Sequence, residues 1–377
     1  MPDKRESIRV HWLTHRAQTL NYERWEECAV ELGFARHPRE GEEADGKFIV
    51  WHDGQERRVI NLDEMSLSLD ASTTRAGGRP GSVPMAIGIH GDGDPSRKSS
   101  DKCTVIFGMN FASEPMPPYI QFPTRAKDSS RYKIQVALLE SLRQVKGKFG
   151  YSADRWFDTG IGMNAKGGMD KASFYKYITD FVFRLYPDAE DAPGKRVLIK
   201  IDSGPGRFYP ELQQRLRARG FYMFPGVPNG TEVGQEMDQL YACVKLLCYR
   251  NREELIKARI AVNVDDTSPL GIADVGWLIF GGEVTLPDGS KIELEEAFDM
   301  AFDREHLDRA KEKCGYCPST RAALNNAKVR REIIARHTAT DDDSLSSDDD
   351  DEDPIATMYE AIEAQVGRGL FIVVMCH

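Results

Sequence analysis

Three isolated aspartates, each at the boundary of a different apolar element, constrain this chain more than any other feature. Asp63 lies in Arg58-Val-Ile-Asn-Leu-Asp-Glu64. Asp202 ends the apolar run Val197-Leu-Ile-Lys-Ile-Asp202, and Asp238 stands at the mouth of an amphipathic helix. Charge at the end of an apolar strand is costly to bury unless a metal or hydrogen bonds satisfy it. A site for two metal ions roughly 4 Å apart needs carboxylates that converge from separate segments. Two strand-end acids and one helix-start acid on a single sheet would supply them. Each residue also has a plainer reading. Asp202, before Ser203-Gly-Pro-Gly206, suits a turn or a cap. Asp63 suits the outward face of an alternating strand, although Asp is depleted in strands. Asp238 suits a solvated helix start, where an acid favours the dipole, with Glu232 and Glu236 as competing ligands.

The apolar pattern orders the chain. Alternation over 58–69 predicts a strand, followed by strand signals at Cys103–Gly108 and Pro118–Phe122 around the Pro-rich turn Glu114–Pro118. Helical spacing covers Tyr132–Phe149 and Met169–Leu185. Then come a strand at 195–202, a helix Tyr209–Arg219 stopped by Gly220, a strand Phe221–Phe224 and a helix Glu236–Ile260. The order β-β-β-α-β-α-β-α predicts an α/β fold: a mixed sheet, three strands antiparallel, with helices on its faces. Residues 7–35 read as helical and 36–55 as a polar connector. Asp288-Gly289 marks a hairpin over Val284–Ile292, and 294–337 reads as helical. The expected organisation is a helical N-terminal region with connector at 1–57, a catalytic domain at 58–260 and a mainly helical region at 261–340. An acidic linker at 341–354 and a tail at 355–377 complete it.

A net charge of −10 argues against a nucleic-acid partner until its location is considered. The run Asp341–Asp353 holds nine acids, and without it 50 basic residues face 51 acidic ones. The run reads as a disordered spacer whose serines sit in an acidic context for phosphorylation. Lys195, Arg196, Lys200, Arg207, Arg215, Arg217 and Arg219 surround the second acid in sequence, and Arg75 and Arg79 follow the first. Lys245 shares a helix face with Asp238. Lys200, Arg207 and Lys245 are the candidate phosphate-backbone contacts; a solvated helix face is the alternative. No apolar run reaches the ~18 residues of a membrane span, and the N-terminus lacks an apolar signal region, so the expectation is an intracellular protein. Seven cysteines show no disulfide framework. Cys314-Gly-Tyr-Cys317, with His306 and His337 on either side, raises zinc, but only two of four ligands are well spaced.

Several blocks, in order, resemble the DDE-superfamily endonuclease domain of pogo-, Tigger- and jerky-like transposases. Asn61-Leu-Asp-Glu64 resembles the first-acid strand, Cys103–Phe122 the two strands after it, and Gly167-Gly-Met-Asp-Lys-Ala-Ser-Phe174 the helix start before the second acid. Val197–Gly206 resembles the second-acid strand. Phe224-Pro-Gly-Val-Pro-Asn-Gly-Thr231 with Gln235-Glu-Met-Asp-Gln239 and Lys245 resembles the family's most specific block. The likeness covers about residues 58–260. It implies a ribonuclease H-like fold, Asp63, Asp202 and Asp238 as catalytic metal ligands, and two Mg²⁺ or Mn²⁺ ions. It further implies hydrolysis and strand transfer on DNA, a possible homo-oligomer on DNA, and a nuclear location. The alternative is a catalytically inactive, transposase-derived protein that binds DNA or protein. Two departures stand out: Asp202–Phe208 lacks the His that relatives often carry soon after the second acid, and Glu236 stands where the family usually has proline.

Overall fold

The computed structural model describes residues 13–40, 42, 47–68, 102–123, 159–164, 167–204, 206–227, 231–263, 270 and 274–329. The expected helix 132–149, the basic loop with Arg75 and Arg79, His337, the acidic run and the tail lie outside the described residues. The elements, in chain order, are α1 (His15–Glu31), β1 (Ala35–Arg36), β2 (Val50–Trp51), β3 (Val59–Ser68), β4 (Lys102–Asn110), β5 (Tyr119–Pro123) and β6 (Gly160–Asn164). Helix α2 (171–185) has a π-helical centre at Tyr177–Val182. Then follow β7 (Val197–Ile201), α3 (Pro210–Arg217), β8 (Phe221–Pro225), α4 (Thr231–Gly234) and α5 (Glu236–Val262). The C-terminal part adds α6 (Val275–Phe280), the hairpin β9 (Gly282–Thr285) and β10 (Lys291–Leu294), α7 (Ala297–Ala301) and α8 (Arg304–Cys314).

Six strands form the main sheet, in the order β6-β5-β4-β3-β7-β8. β3, β4 and β5 are antiparallel neighbours, whereas β7 runs parallel to β3 and β8 parallel to β7. The protein is therefore α/β with a mixed sheet, and the three antiparallel strands precede the alternating part as the sequence order predicts. β7 and β8 are buried along their whole length, as strands covered on both faces must be, which is why they read as unbroken apolar runs.

Alternation along β3 distributes its side chains to two cores. Met65 and Leu67 join Val105, Phe107, Leu240, Val244, Leu278 and Phe298 under α5, α6 and α7. Ile60 and Leu62 face the opposite way, to Phe174, Tyr177, Phe181, Leu212 and Leu216 of α2 and α3. A third cluster sets Trp25 of α1 against Phe111, Phe224 and Tyr316. The segments 15–36 and 275–323 thus share cores with the sheet.

Three details differ from the sequence expectation. β6 was not anticipated: Gly160 and Gly162 mask it, because Cβ atoms there would collide with Tyr119, Phe181 and Gln121. The polar connector contains the small β1–β2 ladder. The region from 294 breaks into α7, α8 and a turn after Gly315, which caps α8 in the left-handed conformation. Gly220, expected to stop α3, has φ +72°, and a Cβ there would meet the Glu190 backbone. Gly220→Ala is expected to cost about 2 kcal/mol, since both the conformation and the contact oppose it. Urea unfolding measures this, and an unchanged midpoint would contradict it.

Candidate active site

The parallel pairing of β3 with β7 ends at Asn61↔Lys200. Asp63 lies two residues further along β3, and Asp202 is the first residue after β7. β3 continues to Ser68, so its β7-side edge is open beyond this point. Helix α5 starts there. Its first turn carries Asp238, whose charge suits the positive end of the helix.

The Asp63 and Asp238 carboxyls are neighbours. Like charges that near one another oppose ionisation of the buried acid. Asp63 is 8% exposed. Burial first, and the neighbouring Asp238 second, raise its pKa well above the ordinary 3.8, against the lowering effects of the Glu64 N–H, 2.8 Å away, and of Arg207. Tyr241, one turn along α5 from Asp238, brings a hydroxyl that is buried and without a hydrogen-bond partner. Its pKa is raised by burial and then by the charges of Asp63 and Asp238.

Asp202 does not join the pair. Its side chain, 27% exposed, is ion-paired to Arg207, which also holds Glu64 at 2.7 Å. Among the described residues no three His, Cys, Asp or Glu side chains gather into a group that could hold a metal ion. The structure therefore joins Asp63 to Asp238 and keeps the third acid on an arginine at the same sheet edge.

The candidate phosphate contacts divide. Lys200 is 1% exposed; its ammonium donates to Glu236 at 2.7 Å and the Gly234 carbonyl at 2.5 Å, and lies 3.4 Å from the Tyr316 ring centroid. It is corrected to a core residue, because a phosphate backbone cannot reach it. Arg207 is 10% exposed and committed to two carboxylates beside the site. Lys245 lies two turns beyond Asp238, roughly 10 Å along the helix, with its ammonium 5.9 Å from the Tyr249 ring. Lys195, Arg196, Arg217 and Arg219 sit at the opposite end of β7 and β8 from Asp202. There Lys195 pairs with Glu190 and Arg196 with Asp191, each at 2.7 Å. Proximity in sequence to the second acid was misleading, because a strand carries its two ends to opposite edges of the sheet.

Glu236, a competitor for the ligand role, is buried against Lys200 instead. Cys314 and Cys317 lie buried in the Trp25 cluster. Burial raises both thiols, Cys317 to about 12, which keeps them protonated.

The sequence reading missed Arg207 as a partner of two acids, the Tyr241 hydroxyl, and the polar residues behind the acids. Asn61 donates to the Lys200 carbonyl at 3.2 Å and accepts the Met237 N–H at 3.0 Å. Gln235 donates to the Leu62 carbonyl at 3.0 Å. A lone lysine in an otherwise apolar strand was the available signal for this cluster.

The raised Asp63 pKa has a sign that can be checked. An acid whose folded pKa lies above its unfolded value contributes stability below the ordinary aspartate range. That contribution is lost as pH rises through the folded value. Metal-free protein should therefore lose stability from about pH 4 upward until Asp63 is ionised. Asp63→Asn has nothing to ionise, and should melt about 2–4 °C higher than wild type at pH 7 in chelator, for a gain of about 1–2 kcal/mol. A lower melting temperature for the variant under those conditions would refute the raised Asp63 pKa.

Fold and site together define an α/β protein with two neighbouring carboxyls where the parallel pairing of β3 with β7 ends, inside a mixed sheet. No family model, curated protein or solved structure matches the chain. No helix among the described residues is long and apolar enough to cross a membrane.

Proposed function

We propose that this chain is a metal-dependent DDE transposase-type nuclease that acts on DNA, built on a ribonuclease H-like sheet. The observation that carries the reading is the meeting of Asp63 and Asp238, from a strand and a helix far apart in sequence, where the β3–β7 pairing ends and Asp202 follows β7. The order β5-β4-β3-β7-β8, with the first three antiparallel and the last two parallel, supports the ribonuclease H-like assignment.

The donor set suits Mg²⁺ or Mn²⁺. Carboxylate oxygens are the hard ligands these ions prefer. The charge of Asp238 opposes ionisation of the buried Asp63, which a cation between them would relieve, and the buried Tyr241 hydroxyl lacks a partner. Asp63, Asp238 and, once released from Arg207, Asp202 would hold the ions. When bound, the ions supply an activated water or 3′ hydroxyl and stabilise the leaving oxygen. The chain's own residues do the rest. Asp63 loses its proton to solvent, Arg207 would turn its charge from Asp202 towards a phosphate oxygen, and the low exposure of Asp63 limits access of bulk water.

A second reading, a transposase-derived protein that binds DNA or protein without cleaving, is favoured by one observation: Asp202 is neutralised by Arg207 and no group of three ligands is formed among the described residues. The deciding test is nicking of supercoiled plasmid in manganese. Nicking by purified wild type supports the nuclease. A well-folded protein that leaves the plasmid intact supports the binding protein.

A further inference from the structure

Two residues before each of the three acids stands a buried polar residue: Asn61 before Asp63, Lys200 before Asp202 and Glu236 before Asp238. These three bond to one another or to the adjoining backbone. The Asn61 amide donates to the Lys200 carbonyl, and its oxygen accepts the Met237 N–H, satisfying one of the free donors at the start of α5. The Lys200 ammonium crosses to Glu236 at 2.7 Å, with both side chains essentially inaccessible. Gln235, which makes no side-chain cap on its own helix, reaches the Leu62 carbonyl instead. β3, β7 and the first turn of α5 are thus joined directly behind their acids, although the acid-bearing strands are far apart in sequence.

A buried ion pair is poor value as a source of stability, since apolar residues of similar volume do as well or better. Its geometry here suggests another use. Lys200 is the last residue but one of β7, and Asp202 is the first residue after the strand. On α5, Glu236 fixes the start of the turn that carries Asp238. We propose that Asn61, Lys200 and Glu236 are positioning residues that set the three acids for metal binding, acting through strand register and helix placement without touching metal or substrate. Tyr316, whose ring centroid lies 3.4 Å from the Lys200 ammonium, closes this cluster from the C-terminal segment. The inference rests on the metal-site reading above.

The test is Mn²⁺ binding, followed by the loss of the free-ion electron paramagnetic resonance signal, together with melting temperature. The proteins are wild type, the double variant Lys200→Met with Glu236→Met, and Asn61→Asp. The double variant removes both charges together and should melt at or above the wild-type temperature while binding Mn²⁺ about 10- to 100-fold more weakly, the range for residues that support metal ligands. Asn61→Asp keeps the shape and adds a negative charge, which by itself favours a cation. Weaker binding in this variant therefore isolates the loss of register. Wild-type affinity in a folded double variant, or in Asn61→Asp if the double variant does not fold, would overturn the positioning role and leave the metal site standing. No Mn²⁺ binding by wild type would overturn the metal site and this proposal with it.

Discussion

Alanine at Asp63, Asp202 or Asp238 is expected to reduce manganese-dependent plasmid nicking by about 10³-fold or more, equivalent to about 4 kcal/mol of transition-state stabilisation. The reasoning differs for each residue. Asp63 and Asp238 form the neighbouring pair, so removal of either leaves one carboxyl to do the work of two. Asp202 contributes only after Arg207 lets go. Its variant should therefore lose activity even though it leaves the pair intact, whereas Arg207→Gln frees Asp202 and should bind Mn²⁺ at least as tightly as wild type. Nicking that survives Asp202→Ala, with loss in the other two, would mean a site of two acids and a different arrangement of metal. The double variants show whether the acids act as a unit, because the losses then fail to add.

Lys200→Met alone is expected to destabilise the protein by about 3–5 kcal/mol, the largest single effect on stability anticipated here from a polar residue. The change leaves the Glu236 carboxylate with no exposure and no counter-charge, and removes the donor to the Gly234 carbonyl. Adding Glu236→Met should restore the whole loss, because neither charge then has to be buried. Urea unfolding of the two single variants and the double gives the coupling. If the single variant lies within roughly 1 kcal/mol of wild type, the pair contributes no more than a surface ion pair does.

Much of the sheet is legible in the sequence itself. The period-2 run over 58–69, the continuous apolar runs at 197–201 and 221–224, and the glycine stop at Gly220 are local signals, and each element lies within a few residues of its expected place. The failures were non-local. β6 has two glycines because the Tyr119 and Gln121 side chains of β5 occupy the space beside it, and no pattern internal to Gly160–Asn164 reports that. Lys195, Arg196, Arg217 and Arg219 were grouped with Asp202 because they are near in sequence, yet they lie at the other edge of the sheet.

The acids show the same division. Asp202 and Asp238 stand at element ends and Asp63 in mid-strand, and all three were recognisable as candidates from residue type and position alone, because carboxylates beside apolar runs need a reason to be there. Which of them meet was decided only by tertiary structure. Strand register and the start of α5 join Asp63 to Asp238, while a single guanidinium from the loop after β7 draws Asp202 aside. Residue type and local period follow from neighbours along the chain, and so sequence by itself determined them. The pairing of charges depends on distances of a few ångströms between segments far apart in sequence, and only the folded chain sets those.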